Sequence, residues 1–171
     1  MGRWKQAEKR NMQDSSFSRQ FVFTLQVIHV ALAVGVVLFG AVTIFMFFVN
    51  SATSGVATRG SIKLLTQGNA IFTLSAFPTG FFLFSAVLGK GREQSKFAAR
   101  VKVAYIVRTA VWEGSAFFGL VVLFLAGKST LSSEPVYWIN AIAPLLFLLF
   151  VGLTFPSQKR LARIIRSRGP A

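Results

Sequence analysis

The chain has 171 residues, no cysteine and a formal net charge of +14; 53% of its residues are hydrophobic, and its mean hydropathy is +0.58. Charged residues make up only 14%, whereas an average soluble domain has about 25%. The apolar residues form long runs, which exclude a soluble globular protein and predict membrane-spanning helices. Without cysteine, disulfides, thiolate metal sites and cysteine nucleophiles are also excluded.

The first apolar run extends from Phe21 to Val49, after a polar and basic segment at residues 1–20. A secretory signal peptide has an apolar core of only about 7–15 residues, so this run predicts a retained first transmembrane helix, TM1, at 21–49. At a rise of about 1.5 Å per residue, the run is longer than the ~30 Å hydrocarbon core of a bilayer. We therefore expect TM1 to tilt or to project beyond the membrane.

The second predicted helix, TM2, occupies residues 70–88 and follows a small, polar, glycine-containing segment at 50–69. We interpret that segment as a loop. Pro78 lies inside TM2. Because proline removes a backbone donor and crowds the preceding turn, it predicts a kink at this point.

Two more apolar segments predict TM3 at 103–126 and TM4 at 135–155. Pro144 lies inside TM4 and predicts a second kink. A basic tail follows at 157–171. The predicted fold is an all-α integral membrane protein, with a four-helix transmembrane domain at residues 21–156 and no sizeable soluble domain.

The basic residues are distributed unequally between the two ends of these helices. Fifteen Lys and Arg lie in the N-terminal segment, in the turn at 89–102 and in the tail, whereas three lie in the other two loops. The positive-inside rule therefore predicts that both termini face the cytoplasm. The same charges contact anionic lipid headgroups at about 1 kcal/mol each, and no basic soluble domain remains to bind nucleic acid.

An internal repeat relates the two halves of the chain. A shift of 79 positions aligns TM1 with TM3, and TM2 aligns with TM4 through Pro78 and Pro144. These matches favour a duplicated helical hairpin. Small residues four apart let helix backbones approach closely, so we interpret them as helix-packing positions, with an ion path along the close backbones as the alternative. The matched small residues are Ala31, Gly35 and Gly40 in TM1 and Ala110, Gly114 and Gly119 in TM3.

Glu113 is the most informative residue, because it lies about ten residues, or ~15 Å, into TM3. A carboxyl group in hydrocarbon costs several kcal/mol, so it usually has a partner or a task. Thr109 lies one turn back on the same face and is a candidate hydrogen-bond partner. Arg108 lies about 140° around the helix from Glu113 and is a poorer candidate partner. Its neighbour Trp112 predicts a cation–π contact with Arg108. In the alternative, the arginine side chain extends to the lipid headgroups. His29 in TM1 lies at the depth of Arg108 and is a further candidate partner.

Two roles for Glu113 stay open. In one, Glu113, with Thr109 beside it, is the protonatable site of an ion-translocating element. In the other, it forms a structural hydrogen bond or ion pair, within the bundle or with a partner subunit. The chain has one histidine and no paired carboxylates, so we expect no metal site, no cofactor and no enzymatic activity.

The run from Ala110 to Val122, Ala-Val-Trp-Glu-Gly-Ser-Ala-Phe-Phe-Gly-Leu-Val-Val, resembles the carboxylate helix of the c (proteolipid) subunits of rotary ATPases. The resemblance implies that Glu113 carries a proton or Na⁺ and that Ala110, Gly114 and Gly119 are close-packing positions. TM2 holds several phenylalanines where the family's other helix is rich in glycine. The chain therefore resembles bacterial four-helix inner-membrane proteins that share this helix, and not a rotor subunit.

The predicted function is that of a non-catalytic, multi-pass inner-membrane protein, a structural or accessory subunit that binds itself or other membrane subunits. The first alternative is a proton- or cation-translocating element that uses Glu113. The second is a small channel or exporter, which we consider the weaker one because no row of polar residues lines any predicted helix.

Overall fold

The structure is a computed structural model that describes residues 2–49, 59–89, 97–127 and 134–168. Within these ranges the chain is nearly all helical and contains no strand. A 3₁₀ segment, Pro135–Ala141, leads directly into the fourth α-helix. The helices are α1, Gly2–Val49; α2, Arg59–Gly89; α3, Phe97–Gly127; α4, Ile142–Leu153; and α5, Gln158–Arg168.

In the part of the chain that the structure describes, four segments are long and apolar enough to cross a membrane, in agreement with the number of predicted transmembrane helices. This agreement rests on length and composition, so the insertion, the orientation of the termini and the duplication stay predictions. The segments are Arg19–Met46, Arg59–Gly89, Ala99–Gly127 and Pro135–Leu153.

The interpretation of residues 59–69 as a loop was wrong, because α2 begins at Arg59. The two glycines of this part, Gly60 and Gly68, lie on open faces of the helix and do not interrupt it, since a Cβ atom added to either would meet nothing within 4 Å. Asn69 is polar yet buried, because it faces the interior of the bundle. The rest of the predicted loop, residues 50–58, lies outside the described ranges.

Helix α3 is the centre of the bundle and contacts α1, α2 and α4. Of its apolar segment 50% is buried, compared with 17% of the corresponding segment of α1. Helix α1 runs parallel to α3, because residue numbers increase in the same direction along both: His29 contacts Thr109, and Gly40 lies next to Leu120. Helix α2 runs antiparallel to α3, since Phe72 packs against Phe118 whereas Phe84 packs against Tyr105.

The two prolines lie in different settings. Helix α2 continues through Pro78 as one helix, and a kink there stays a prediction. Pro144, predicted to kink the middle of TM4, instead lies in the first turn of α4, just after the 3₁₀ segment ends. The physical reason is that proline cannot donate to the carbonyl of Asn140, four residues back, and its ring crowds that carbonyl. A regular α-helix through this point is therefore unfavourable.

Helix α5 is a short amphipathic helix where the sequence predicts only a basic tail. Its Leu161 is buried, and it packs with Ile164 in an apolar cluster formed by the end of α2, the beginning of α3 and the part of α1 around Val22. Lys159, Arg160 and Arg163 are exposed. We call this end of the bundle the basic end. The other buried members of its cluster are Val22, Leu25, Leu88, Phe97, Val101, Ala104 and Tyr105.

Candidate functional site

Glu113 is half-buried on α3 and makes no hydrogen bond or ion pair with any other residue that the structure describes. Its neighbours on one side, Ala110 and Gly114, are exposed. They belong to a stripe that follows the length of α3 over about 27 Å at helical rise. We call this stripe the Glu113 face; it consists of Val103, Ala110, Glu113, Gly114 and Val121.

Contrary to the prediction, Thr109 does not form a hydrogen bond with Glu113. Its hydroxyl oxygen lies 3.1 Å from Nε2 of His29 and 2.9 Å from the backbone oxygen of Tyr105, four residues back. Thr109 is buried on the side of α3 that faces α1. The structure therefore brings together His29 and Thr109, and leaves Glu113 outside this pair.

The number of hydrogens in this network depends on the protonation state of His29. Nδ1 of His29 lies 2.9 Å from the carbonyl oxygen of Leu25, which only accepts, so a hydrogen bond here requires a hydrogen on Nδ1. In neutral His29, Nε2 is then the acceptor and takes the hydroxyl hydrogen of Thr109, which no longer reaches Tyr105. A protonated His29 satisfies all three contacts, because Nε2 donates to Thr109 and the hydroxyl donates to Tyr105.

Arg108 is buried, with 5% of its surface exposed. Its Cζ atom lies 4.6, 4.8 and 5.1 Å from the ring centroids of Phe84, Tyr105 and Trp112. The predicted cation–π contact with Trp112 is therefore present. The alternative, a side chain that snorkels to the headgroups, does not fit this burial.

The small residues of the predicted packing positions fall into two groups. Gly35, Gly40 and Gly119 face neighbouring elements. A Cβ atom added to Gly35 would lie 3.9 Å from Phe117, and one added to Gly40 would lie 3.8 Å from Leu120. A Cβ atom added to Gly119 would lie 2.5 Å from the backbone oxygen of Asn140. Ala31, Ala110 and Gly114 are exposed, and a Cβ at Gly114 would meet nothing within 4 Å. The residues of the second group lie on faces that the described part of the chain leaves open.

A cluster of polar side chains inside the bundle was not anticipated. The amide of Asn69 donates from Nδ2 to Oδ1 of Asn140 over 2.9 Å, and Nδ2 of Asn140 donates to Thr66 and to the Tyr137 carbonyl. One turn further along α2, the hydroxyl of Thr73 lies 2.9 Å from that of Ser115. The polar side chains of this cluster lie at the interface of α2, α3 and the 3₁₀ segment.

This cluster corrects the expectation that no polar row lines a helix. In the sequence, this polar row is visible as a stripe of residues spaced alternately three and four positions apart, which places its members on one face of the helix. It was hidden because two of its three polar members, Thr66 and Asn69, lie in the part predicted as a loop. The stripe consists of Thr66, Asn69, Thr73, Ala76 and Gly80.

Among the described residues, no group of three His, Asp or Glu side chains is close enough to hold a metal ion. The charged contact at the opposite end of the bundle is a salt bridge of 2.7 Å between Nη2 of Arg59 and Oε1 of Glu134. This bridge joins the start of α2 to the start of the 3₁₀ segment and is partly exposed, so it positions helix ends.

Comparison of the chain with protein-family models, curated proteins and solved structures gives no match. The class of protein is therefore defined by the fold and its polar groups alone. Its described residues are nearly all helical, with four candidate membrane-spanning helices, a polar cluster between them and, on the central helix, a carboxyl group without a partner among those residues. The resemblance of α3 to the carboxylate helix of rotary ATPase c subunits stays a prediction.

Proposed function

We propose that this chain is a non-catalytic, multi-pass protein of the bacterial inner membrane that serves as a structural or accessory subunit of a membrane assembly. It binds a helix of a second copy or of another membrane protein through the Glu113 face. The observation that carries this proposal is Glu113 itself, which is half-exposed on the central helix and has no partner among the described residues.

The composition of the Glu113 face supports helix association. Ala110 and Gly114 have no side chain beyond Cβ, and a Cβ placed at Gly114 would meet nothing within 4 Å from neighbouring elements in the described part of the chain. In membranes, helices associate where small residues let their backbones approach and where polar groups form hydrogen bonds across the interface. A partner helix that donates to Glu113 removes the cost of a carboxyl group facing lipid, which amounts to several kcal/mol.

Cysteine cross-linking tests self-association directly, because the chain has no cysteine of its own. A single Ala110→Cys variant, oxidised in native membranes and in vesicles of the purified protein, is expected to form a disulfide dimer. Leu149→Cys, on an exposed position of α4, is the control and is expected to stay monomeric. A cross-link to a different protein in native membranes, with none in purified vesicles, identifies a partner other than a second copy.

A pair of matched glycine substitutions tests the face. Gly114→Leu is expected to abolish the cross-linked species, because the larger side chain holds the partner backbone away. Gly152→Leu is the control, since Gly152 in α4 is also exposed and a Cβ atom there would meet nothing within 4 Å. Equal effects of the two substitutions, or none, would contradict the proposal.

Ion translocation through Glu113 is the second candidate, and the same unpartnered carboxyl group favours it. A site of this kind takes up and releases a proton as it alternates between lipid and water. The test is proton flux in reconstituted vesicles, before and after dicyclohexylcarbodiimide, in wild type and Glu113→Gln. Flux that persists in both the treated protein and the variant excludes this candidate, whereas loss of assembly in Glu113→Gln without any flux in wild type favours the structural role.

A further inference from the structure

The geometry points to a binding site for a phosphate oxyanion at Arg108, which accepts either the phosphodiester of an anionic phospholipid or free phosphate. The site is separate from the Glu113 face and does not depend on the function proposed above. The basis for this site is the positive charge of Arg108, for which the described residues supply no counter-ion. A guanidinium keeps its charge in proteins, and Arg108 is 5% exposed.

The nitrogens of Arg108 that lack a partner define the kind of ligand. Nε and Nη2 are both buried, and neither has a hydrogen-bond partner in the part of the chain that the structure describes. These two nitrogens form one edge of the guanidinium plane, with their hydrogens parallel. Two parallel donors at this spacing bind two oxygens of a phosphate or carboxylate at once, which is the arrangement that makes arginine selective for oxyanions.

The aromatic residues around Arg108 hold this edge in place. Phe84, Tyr105 and Trp112 each have a ring centroid within 5.1 Å of Cζ. None of the three rings carries an anionic acceptor, so they hold the cation by cation–π attraction without neutralising it. A receptor whose side chain is already ordered loses little conformational entropy when a ligand binds.

Arg108 lies near the end of the bundle that carries α5. It lies eleven residues after the start of α3 at Phe97, or about 16 Å at helical rise. Tyr105 belongs to the apolar cluster that α5 closes through Leu161, and Phe84 packs against that cluster. Helix α5 carries exposed cations, Lys159, Arg160 and Arg163 among them, that attract anionic headgroups to this end. Because Nε and Nη2 are covered in this structure, binding requires the side chains around them to move aside.

Fluorescence of Trp112 reports on the site, because its ring touches Arg108. The full-length protein with Trp4→Phe and Trp138→Phe retains Trp112 as its single tryptophan. The purified protein, in a nonionic detergent, is titrated with phosphatidylglycerol, with phosphatidylcholine as a lipid without net charge, and with inorganic phosphate. Native mass spectrometry of the same samples counts retained lipid. Wild type is expected to bind phosphatidylglycerol more tightly than phosphatidylcholine.

Substitutions of Arg108 decide the outcome. Arg108→Gln is expected to weaken phosphatidylglycerol binding by about tenfold or more, since two charge-assisted hydrogen bonds are lost. Arg108→Lys keeps the charge but not the two-nitrogen edge, so it is expected to bind with intermediate affinity; it also decides the question if Arg108→Gln does not fold. Arg59→Gln, at the opposite end, is expected to bind as wild type does.

The two sources of phosphate give different results. Binding of phosphatidylglycerol without binding of millimolar inorganic phosphate identifies a lipid site, whereas binding of both with the same dependence on Arg108 identifies a phosphate site. The proposal is overturned if wild type binds neither probe, or if Arg108→Gln or Arg108→Lys binds phosphatidylglycerol as tightly as wild type does.

Discussion

The indole ring of Trp112 lies directly on the backbone of Gly80, so closely that a Cβ atom at position 80 would overlap the ring. Nε1 of the same indole donates to the carbonyl of Phe77 over 3.3 Å. Trp112 is completely buried, and it also stacks on Phe77 and contacts Phe81 and Phe150. A tryptophan beside a glycine thus sets the distance between α2 and α3 at this level.

Gly80→Ala is therefore expected to destabilise the protein by about 1–3 kcal/mol, the usual cost of overpacking. The measurement is thermal or denaturant unfolding of the purified protein in detergent. Combined with Trp112→Phe, the same substitution is expected to cost less, because the smaller ring leaves room for the methyl group. Gly68→Ala is the control: a Cβ atom there would meet nothing within 4 Å, and alanine favours a helix over glycine by about 0.5–1 kcal/mol. Equal losses at the two glycines would contradict this packing.

The four long apolar segments could be predicted from the sequence, because a helix that can cross a bilayer needs a certain length and an apolar composition. The start of α2 could not be predicted, because small and polar residues with glycine, which usually indicate a loop, here belong to a packed helix. There, Thr66 and Asn69 form a buried polar face, and Gly60 and Gly68 lie on open sides of the helix.

Glu113 could also be singled out from the sequence, because a carboxyl group in an apolar run is unusual. Its surroundings could not, because they depend on the rotation of α3 against three neighbouring helices. Thr109 and Glu113 lie on one side of an isolated helix, yet in the bundle the hydroxyl of Thr109 bonds to His29 and Glu113 stays outside. Spacing along one helix does not determine which residue faces a partner helix.

Gly119→Ala and Gly114→Ala are expected to differ, although both glycines lie on α3. A Cβ at Gly119 would lie 2.5 Å from the backbone oxygen of Asn140 and 3.3 Å from Nδ2 of Asn69. Backbone atoms cannot move aside cheaply, so Gly119→Ala is expected to cost about 1–3 kcal/mol of unfolding free energy. Gly114→Ala is expected to be neutral or slightly stabilising in the monomer. If both variants unfold like wild type, α3 does not approach the 3₁₀ segment as described.

Thr109→Val is expected to destabilise the protein more than Thr43→Val does. Both threonines are buried, and each hydroxyl oxygen lies 2.9 Å from the backbone oxygen four residues back, that of Phe39 for Thr43 and that of Tyr105 for Thr109. Only Thr109 has the additional contact to His29. Because interhelical hydrogen bonds in membranes contribute about 0.6 kcal/mol on average and up to about 1.7, we expect a difference of this size in unfolding free energy. Equal effects would show that the contact between His29 and Thr109 does not stabilise the bundle.

The amide pair Asn69 and Asn140 is expected to behave as a coupled unit. Asn140 is completely buried, and it donates from Nδ2 to Thr66 and to the Tyr137 carbonyl, which fixes Oδ1 as the acceptor for Asn69. Asn140→Leu therefore leaves the amide of Asn69 buried without a partner, since Oδ1 of Asn69 already has none among the described residues. We expect a loss of about 1–3 kcal/mol for the single substitution.

The double variant Asn69→Leu with Asn140→Leu is expected to lose less than the sum of the two single variants, because no polar group is then stranded. The coupling energy should fall in the range of about 0.6–1.7 kcal/mol that interhelical hydrogen bonds show in membranes. Unfolding free energies of the four proteins of the cycle, in the same detergent, give this value directly. Strictly additive losses would mean that the two amides do not bond to each other, and that α2 and the 3₁₀ segment are held together by apolar packing alone.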